Sequence, residues 1–278
     1  MPMYLTTIVK NFSIKMGMYQ PARWLSRRLR PSQLQAHLDD INFYSELLPP
    51  SSLCFDVGAN IGEKSEAMLK AGAHVVAFEP SPSAIPELRA RCRGFKNWHL
   101  VPTAVGSEES IATLHITHDS GKSSLDRNWN RAMDVVNTYS VPVGTLDAAI
   151  KLFGKPFYCK IDVEGWELEV LRGLSQAIPL ISFEFHLNDK GIDNAILCLE
   201  ILLDHGPSYI NITPAESPFF HLPEWMPIKD FIDWFPDDLK NTLPGHPYGD
   251  IFVMNEQLVR KTMQIHDINK DDGFRSLV

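Results

Sequence analysis

Three stretches of the chain combine glycine turns with ionisable side chains in a way that suits ligand chemistry. The first is Phe55-Asp56-Val57-Gly58-Ala59-Asn60-Ile61-Gly62, which begins within a short apolar run. Gly58 permits a sharp turn and close approach of a ligand to the backbone, and Gly62 opens a segment whose exposed N–H groups favour an anion. The dinucleotide fingerprint G-x-G-x-x-G is not met, because Asn60 holds the second glycine position and the next glycine comes four residues after Gly58. An asparagine there would crowd a pyrophosphate, so the turn suits a ligand without one. Asp56 adds a polar anchor for a cationic or amino group. The second feature is Glu79, 21 residues after Gly58, where a carboxylate can accept hydrogen bonds from both hydroxyls of a ribose. The third is Lys160-Ile161-Asp162-Val163-Glu164-Gly165. Strand alternation sets Lys160, Asp162 and Glu164 on one side of the chain, and three ionisable groups in a crevice are costly unless paired or used. His186, directly after Phe183-Glu184-Phe185, contributes an imidazole.

These groups need a frame that brings them to one edge. Short apolar runs at 53–57, 74–78, 98–101, 157–161, 180–185, 209–212 and 251–254 read as strands, and amphipathic stretches at 63–70, 82–92, 164–171 and 194–203 read as helices. Such alternation demands a parallel sheet covered on both faces, a doubly wound α/β domain whose ligands bind at the carboxyl ends of the strands. Residues 112–117 alternate as an additional, locally paired strand, and 118–140 read as a loop with a short helix. Residues 217–250 hold six prolines and seven aromatics, which reads as an ordered loop on the sheet edge or as a wall of the substrate pocket. The expected organisation is a basic helical accessory segment over 1–48 and a catalytic domain over 49–278. Within that domain, 217–250 is an insertion near the substrate pocket.

Composition narrows the function classes. The 278 residues carry a formal net charge of -8, which disfavours nucleic acid as a partner. The charge is uneven: residues 1–38 hold six basic side chains and no acidic one, so the remainder carries a net -14. Trp24, Leu25 and Leu29 among Arg23, Arg27, Arg28 and Arg30 read as an amphipathic helix that either caps the pocket or rests peripherally on anionic lipid. The four cysteines form no CxxC pair, which excludes a zinc ribbon and fits a reducing, cytoplasmic setting. No apolar run approaches the roughly 20 residues of a membrane span. Gly121-Lys122-Ser123-Ser124 has Ile116 where a P-loop needs its first glycine, which excludes that route to ATP.

Taken together, D-V-G-A-N-I-G, F-E-P-S-P and K-I-D-V-E-G-W-E-L-E-V-L-R-G resemble the FkbM family of S-adenosylmethionine-dependent methyltransferases. Thr145-Leu146-Asp147 and Ile181-Ser182-Phe183-Glu184 fit the same pattern, and Gly249-Asp250-Ile251-Phe252 resembles the family's last strand. The resemblance implies a class I methyltransferase, a Rossmann-like seven-stranded sheet of order 3-2-1-4-5-7-6 with the last strand antiparallel. It also implies S-adenosylmethionine as cofactor and a hydroxyl acceptor on a sugar, glycolipid or secondary metabolite. By position, it implies that Asp56, Gly58, Asn60 and Gly62 line the methionine and ribose portions and that Glu79 binds the ribose. Thr103 and Ala104 would lie near the adenine, and Asp162 beside the methyl group or the acceptor hydroxyl. A nicotinamide-dependent oxidoreductase is the alternative, opposed by the missing second glycine. A non-catalytic binding protein on the same fold is another, opposed by the intact acidic and glycine positions.

Methyl transfer from a sulfonium is an in-line displacement, so alignment supplies much of the catalysis, and a hydroxyl acceptor also needs its proton removed. Asp162 is the first candidate base, His186 the second and Glu164 the third. No metal is assigned, because Asp162, Glu184 and His186 would have to converge and their spacing does not fix this.

Overall fold

The computed structural model describes residues 10, 12–20, 23, 30–118, 120–127, 129, 135–215, 217–242 and 246–259, with the backbone alone at 120 and 236–242. The strands are β1 (Leu53–Val57), β2 (His74–Phe78), β3 (Trp98–Val101), β4 (Ala104–Val105), β5 (Ser110–Thr117), β6 (Val135–Gly144), β7 (Tyr158–Ile161), β8 (Leu180–His186), β9 (Ser208–Pro214), β10 (Met226–Pro227) and β11 (Tyr248–Asn255). The helices are α1 (Pro31–Leu47), α2 (Glu63–Lys70), α3 (Ile85–Arg91), α4 (Leu146–Phe153), α5 (Glu167–Arg172), α6 (Asp189–Asp204) and α7 (Ile228–Thr242). The main sheet runs β10-β9-β11-β8-β7-β1-β2-β3, and β4-β6-β5 form a separate three-stranded sheet. Strands β3, β2, β1, β7 and β8 are parallel, and β11 is antiparallel to both β8 and β9.

Period-two alternation divides the core cleanly. Phe55, Val57, Cys159, Ile161, Ile181, Phe183, Phe185, Ile251 and Val253 point into one cluster, under α4 to α7. Cys54, Tyr158, Leu180 and Phe252 point into the other, under α1 to α3, where Tyr44 and Leu48 also pack. Both faces are therefore covered, as the near-continuous apolar runs require. The second face changes character along each strand. Beyond Cys54, Tyr158, Leu180 and Phe252, the next residues of the same parity are Asp56, Lys160, Ser182, then Asp162, Glu184 and His186, with Asp250 and Tyr248 entering from the antiparallel β11. Register sets Asp56 beside Lys160 and Glu184 beside Asp250. One parity class thus runs from an apolar core to a polar edge.

Three expectations are corrected. Seven strands are expected and the main sheet has eight; the extra one, β10, is a two-residue edge strand too short to show any period. Residues 118–140 contain a 3-10 turn at Ser120–Lys122, but from Val135 the chain is strand β6, not loop. Its polar, exposed outer positions (Asn137, Thr138, Ser140) hide the alternation. Residues 217–250 are not a loop: they contain α7, whose Phe231 and Phe235 are fully buried. Ile228, Phe231, Ile232 and Phe235 follow the helical i, i+3, i+4, i+7 spacing, while Pro236, costly inside a helix, masks it. Phe235→Ala is therefore expected to cost about 3–5 kcal/mol of stability, read by urea denaturation, as for a core aromatic. A cost below 1 kcal/mol, the range of an exposed site, would contradict this packing.

The four cysteines are free and buried. Among the described residues no helix is long and apolar enough to cross a membrane. Trp24, Leu25, Arg27, Arg28 and Leu29 lie outside the described residues. The described part of the basic segment is tied to α2 and α3: Arg23 pairs with Glu66 at 2.7 Å and Lys10 with Glu87 at 2.7 Å.

Candidate active site

The turn after β1 is built around Gly58. Its φ is +84°, and a Cβ at this position would stand 1.7 Å from the carbonyl oxygen of Asp162. The amides of Gly58 and Ala59 both donate to the Phe78 carbonyl at 3.0 Å, and the Asp162 amide donates to the Val57 carbonyl at 2.9 Å. The glycine turn and the Asp162 segment are therefore pressed together, backbone against backbone, at the centre of the sheet's carboxyl edge. Gly62 caps the start of α2 in a left-handed conformation and packs against Leu88.

Glu79 locks this turn from the β2 side. Its Oε2 accepts from the Asn60 amide and its Oε1 from the Ser81 amide, both at 2.7 Å. Burial lifts its pKa to about 7 against those two hydrogen bonds. Each carboxylate oxygen has a further lone pair for a ligand hydroxyl.

A polar cavity of about 760 Å³ opens at this edge, lined by Asp56, Lys160, Asp162, Glu184, His186 and Trp129 among others. A narrow cleft adjoins it, lined by Glu79, Thr103, Ala104, Leu125, Val163 and Trp166 among others. Gly58, Asn60, Gly121, Asp162 and Glu164 line both. The cleft holds about 60 Å³, room for about two waters.

Charge in the wide cavity is arranged around Lys160. Its Nζ donates to Asp162 Oδ2 at 2.7 Å, with the lysine side chain 4% and the aspartate 36% exposed. Burial alone would lower the Lys160 pKa, but Asp162, Asp250 and Asp56 hold it well above the ordinary lysine value. Burial raises Asp56, opposed by Lys160 and by the Ser65 hydroxyl, which donates to its Oδ2 at 2.5 Å. Burial, with Asp162 next, lifts Glu164 to about 8, although Trp129 Nε1 donates to its Oε2 at 3.2 Å. Glu184 is raised further by burial and by Asp162, Glu164, Glu167 and Asp250. Its Oε2 lies 3.2 Å from His186 Nε2, and burial lowers the imidazole's pKa, leaving it neutral near pH 7.

Four polar atoms along the two cavities are buried without a hydrogen-bond partner: Asp56 Oδ1, Asn60 Oδ1, Ser123 Oγ and Trp166 Nε1. Unsatisfied buried groups are rare because each costs about 1–3 kcal/mol. Four around one pair of cavities mark this edge, among the described residues, as a candidate ligand site. The unpaired acceptors at Asp56 and Asn60 suit a cationic group.

Residues 56–223 match the methyltransferase FkbM domain. The chain belongs to the FkbM methyltransferase family. It is 26% identical over 172 residues to hexuronic acid methyltransferase AglP of Haloferax volcanii, a span covering 61% of this chain and 67% of that one. Among solved structures, precorrin-6Y C5,15-methyltransferase of Geobacter metallireducens aligns at 12% identity with a TM-score of 0.41, covering 78% of this chain and 86% of that one. Fibrillarin of Aeropyrum pernix, solved with natively bound S-adenosyl-L-methionine, aligns at 9% identity and 0.41, covering 74% and 67%.

In this FkbM methyltransferase, Gly58, Asn60, Glu79, Thr103 and Ala104 line the narrow cleft, and Asp56, Asp162, Glu164 and His186 line the wide cavity. Gly62 lines neither; it serves the start of α2. Of the insertion at 217–250, Pro247 and Tyr248 line the wide cavity. No residue of 1–38 does so among the described ones. The sequence reading missed Trp129, Ser123 and Trp166. A single tryptophan within the polar stretch 118–140 was the available signal for Trp129. Ser123 was seen only as part of a failed P-loop. Glu167 has a structural part: its Oε1 accepts from the Val163 and Gly165 amides at 3.0 and 3.1 Å and so shapes the turn that carries Glu164.

Proposed function

We propose that this FkbM methyltransferase moves a methyl group from S-adenosylmethionine to a hydroxyl of a sugar bearing a carboxylate, with Asp162 as the base. The observation that carries this reading is the meeting of the two cavities at Gly58, Asn60 and Asp162. One cavity has the groups for a nucleoside, the other is wide and polar, and a carboxylate stands at their junction. The main sheet adds support. Its strands β3, β2, β1, β7 and β8 are parallel, and β11 lies antiparallel between β8 and β9, which fits a mostly parallel methyltransferase sheet.

The cofactor supplies an electrophilic methyl group on a sulfonium. Glu79 would accept from the ribose hydroxyls, and Thr103 and Ala104 would border the adenine. The carboxylate of Asp56 and the amide oxygen of Asn60 would face the donor's ammonium group. The narrow cleft is smaller than a nucleoside, so Ser123 and Leu125 on its lining must shift as the cofactor enters. Asp162 takes the acceptor's proton as its oxygen attacks. Glu164 is a poorer base near neutrality, since its pKa of about 8 keeps it protonated. His186 packs half-buried against Glu184 and Trp129 and bounds the acceptor side. The hexuronic acid named for the Haloferax relative supports an anionic sugar; of the lysines on the same cavity lining, Lys64 pairs with Asp40 at 2.9 Å and Lys190 with Asp126 at 2.7 Å, beside Lys122.

Transfer of a trideuteromethyl group from labelled S-adenosylmethionine to a panel of free and glycan-linked hexuronic acids and neutral hexoses, read by mass spectrometry, tests the reading. Ether-linked label on a uronic acid, with neutral sugars poorly used, is expected. Label on a carboxylate as an ester, or on neutral sugars alone, would refute the acceptor assignment. Glu79→Ala removes hydrogen bonds to a charged acceptor, worth about 1.5–3 kcal/mol, and should weaken S-adenosylhomocysteine binding about 10- to 100-fold by calorimetry. Undiminished affinity would remove Glu79 from the ribose site.

A further inference from the structure

One cluster in the wide cavity offers chemistry that proton removal by Asp162 does not use. Glu164, Glu184 and His186 each offer a ligand atom, all within 4.8 Å of one another. Glu184 and His186 stand two residues apart on β8 and so share a face, while Glu164 reaches in from the turn after β7. The Nε2 of His186 and the Oε2 of Glu184 are 3.2 Å apart, close to the separation of about 3 Å between adjacent ligands on a cation with bonds of about 2.1 Å. Sequence spacing points instead to Asp162 as the third member, but Asp162 is held by Lys160 at 2.7 Å.

We propose that Glu164, Glu184 and His186 bind one divalent cation of the Mn²⁺ type in the acceptor cavity. The donor set decides the class of ion. Two carboxylates suit a hard cation such as Mn²⁺, and the single imidazole favours a first-row transition ion over Mg²⁺ and Ca²⁺, which favour oxygen ligands throughout. Three protein ligands leave coordination positions open. Here they face a cavity of about 760 Å³, where the hydroxyl and carboxylate oxygens of an acceptor can complete the shell.

The ligands are braced from outside, as metal ligands require. Trp129 donates to Glu164 Oε2 at 3.2 Å and sets its ring edge-on to His186 at 4.6 Å, while Tyr248 stacks on the imidazole at 5.8 Å. Charge argues in the same direction. Four carboxyl groups, those of Asp162, Asp250, Glu164 and Glu184, crowd this edge beside Lys160 and Lys122. A divalent ion displaces the protons of its carboxylic ligands and offsets the crowding. Bound there, it would draw the acceptor's oxygens into a fixed position beside Asp162. The cation site rests on the geometry of its three ligands and does not depend on the identity of the methyl donor.

Titration of the purified chain with Mn²⁺, followed by the electron paramagnetic resonance of the free aqua ion, tests the proposal. Glu164→Gln, Glu184→Gln and His186→Gln are titrated beside it, and S-adenosylhomocysteine affinity is measured on all four proteins. The wild type is expected to bind one Mn²⁺ per chain, each substitution to weaken that binding about tenfold or more, and Glu184→Gln and His186→Gln, on the lining of the wide cavity alone, to leave S-adenosylhomocysteine affinity little changed. No saturable Mn²⁺ binding by a wild type that still binds S-adenosylhomocysteine would overturn the site. So would Mn²⁺ binding retained by all three variants. Mn²⁺ binding by a protein that ignores S-adenosylhomocysteine would uphold the site and overturn the methyl-transfer reading.

Discussion

The Asp162→Asn enzyme is expected to transfer methyl groups about 100- to 10,000-fold more slowly than the wild type, the usual range for a lost general base, while binding S-adenosylhomocysteine nearly as tightly. The substitution keeps the shape of the side chain. It also keeps the backbone hydrogen bond from Asp162 N to Val57 O at 2.9 Å, so the junction with the Gly58 turn persists. Lys160 loses one partner but retains the field of Asp56 and Asp250, which limits the penalty of its burial. What disappears is the proton acceptor where the two cavities meet. Turnover is measured with the acceptor identified by the labelled-transfer screen. Unchanged turnover would remove Asp162 as the base. A parallel collapse of cofactor affinity would make Asp162 a binding residue.

Gly58→Ala is expected to abolish cofactor binding, with affinity down more than about 100-fold, because two independent costs coincide. A left-handed conformation costs a non-glycine residue about 1–2 kcal/mol. The new methyl would also stand 1.7 Å from the Asp162 carbonyl oxygen, a backbone atom that cannot rotate away. Relief requires the β1 turn and the β7 turn to separate, which opens the junction of the two cavities. Gly72→Ala supplies the control: its φ is +93°, yet its Cβ would meet nothing within 4 Å. That variant bears the conformational cost alone and should keep its cofactor affinity. Equal behaviour of the two variants in calorimetry would show that the Gly58 contact with Asp162 does not matter.

Much of this architecture was legible in the sequence because the strands are buried on both faces. Runs such as Leu53-Cys54-Phe55 and Phe157-Tyr158-Cys159 leave little choice of conformation, and glycine turns mark their ends. The site residues at the β1, β2 and β7 ends were legible for the same reason: Asp56, Glu79, Lys160 and Asp162 are charges terminating apolar runs. The family resemblance supplied their roles. Elements that depend on partners were harder to see. Strand β6 is exposed along most of its length and gains its order from pairing with β5 over eight residues, from Ser110 to Thr117. Helix α7 carries Pro236 within it, a residue that argues against helix unless tertiary burial of Phe231 and Phe235 outweighs it. Helix α4 is capped by Thr145, whose Oγ1 accepts from the Ala148 amide at 3.1 Å, so the family pattern Thr145-Leu146-Asp147 is also a helix start. Trp129 lies far along the chain from His186 and Glu164, and no local period reports such a contact.

The most direct measurement is calorimetric titration of the purified wild-type chain with S-adenosylhomocysteine, beside Gly58→Ala and Glu79→Ala. One saturable site per chain is expected, with a dissociation constant between about 1 μM and 1 mM, the usual span for enzyme ligands, lost in Gly58→Ala and weakened in Glu79→Ala. Absence of saturable binding by the wild type, or equal binding by all three proteins, would contradict it.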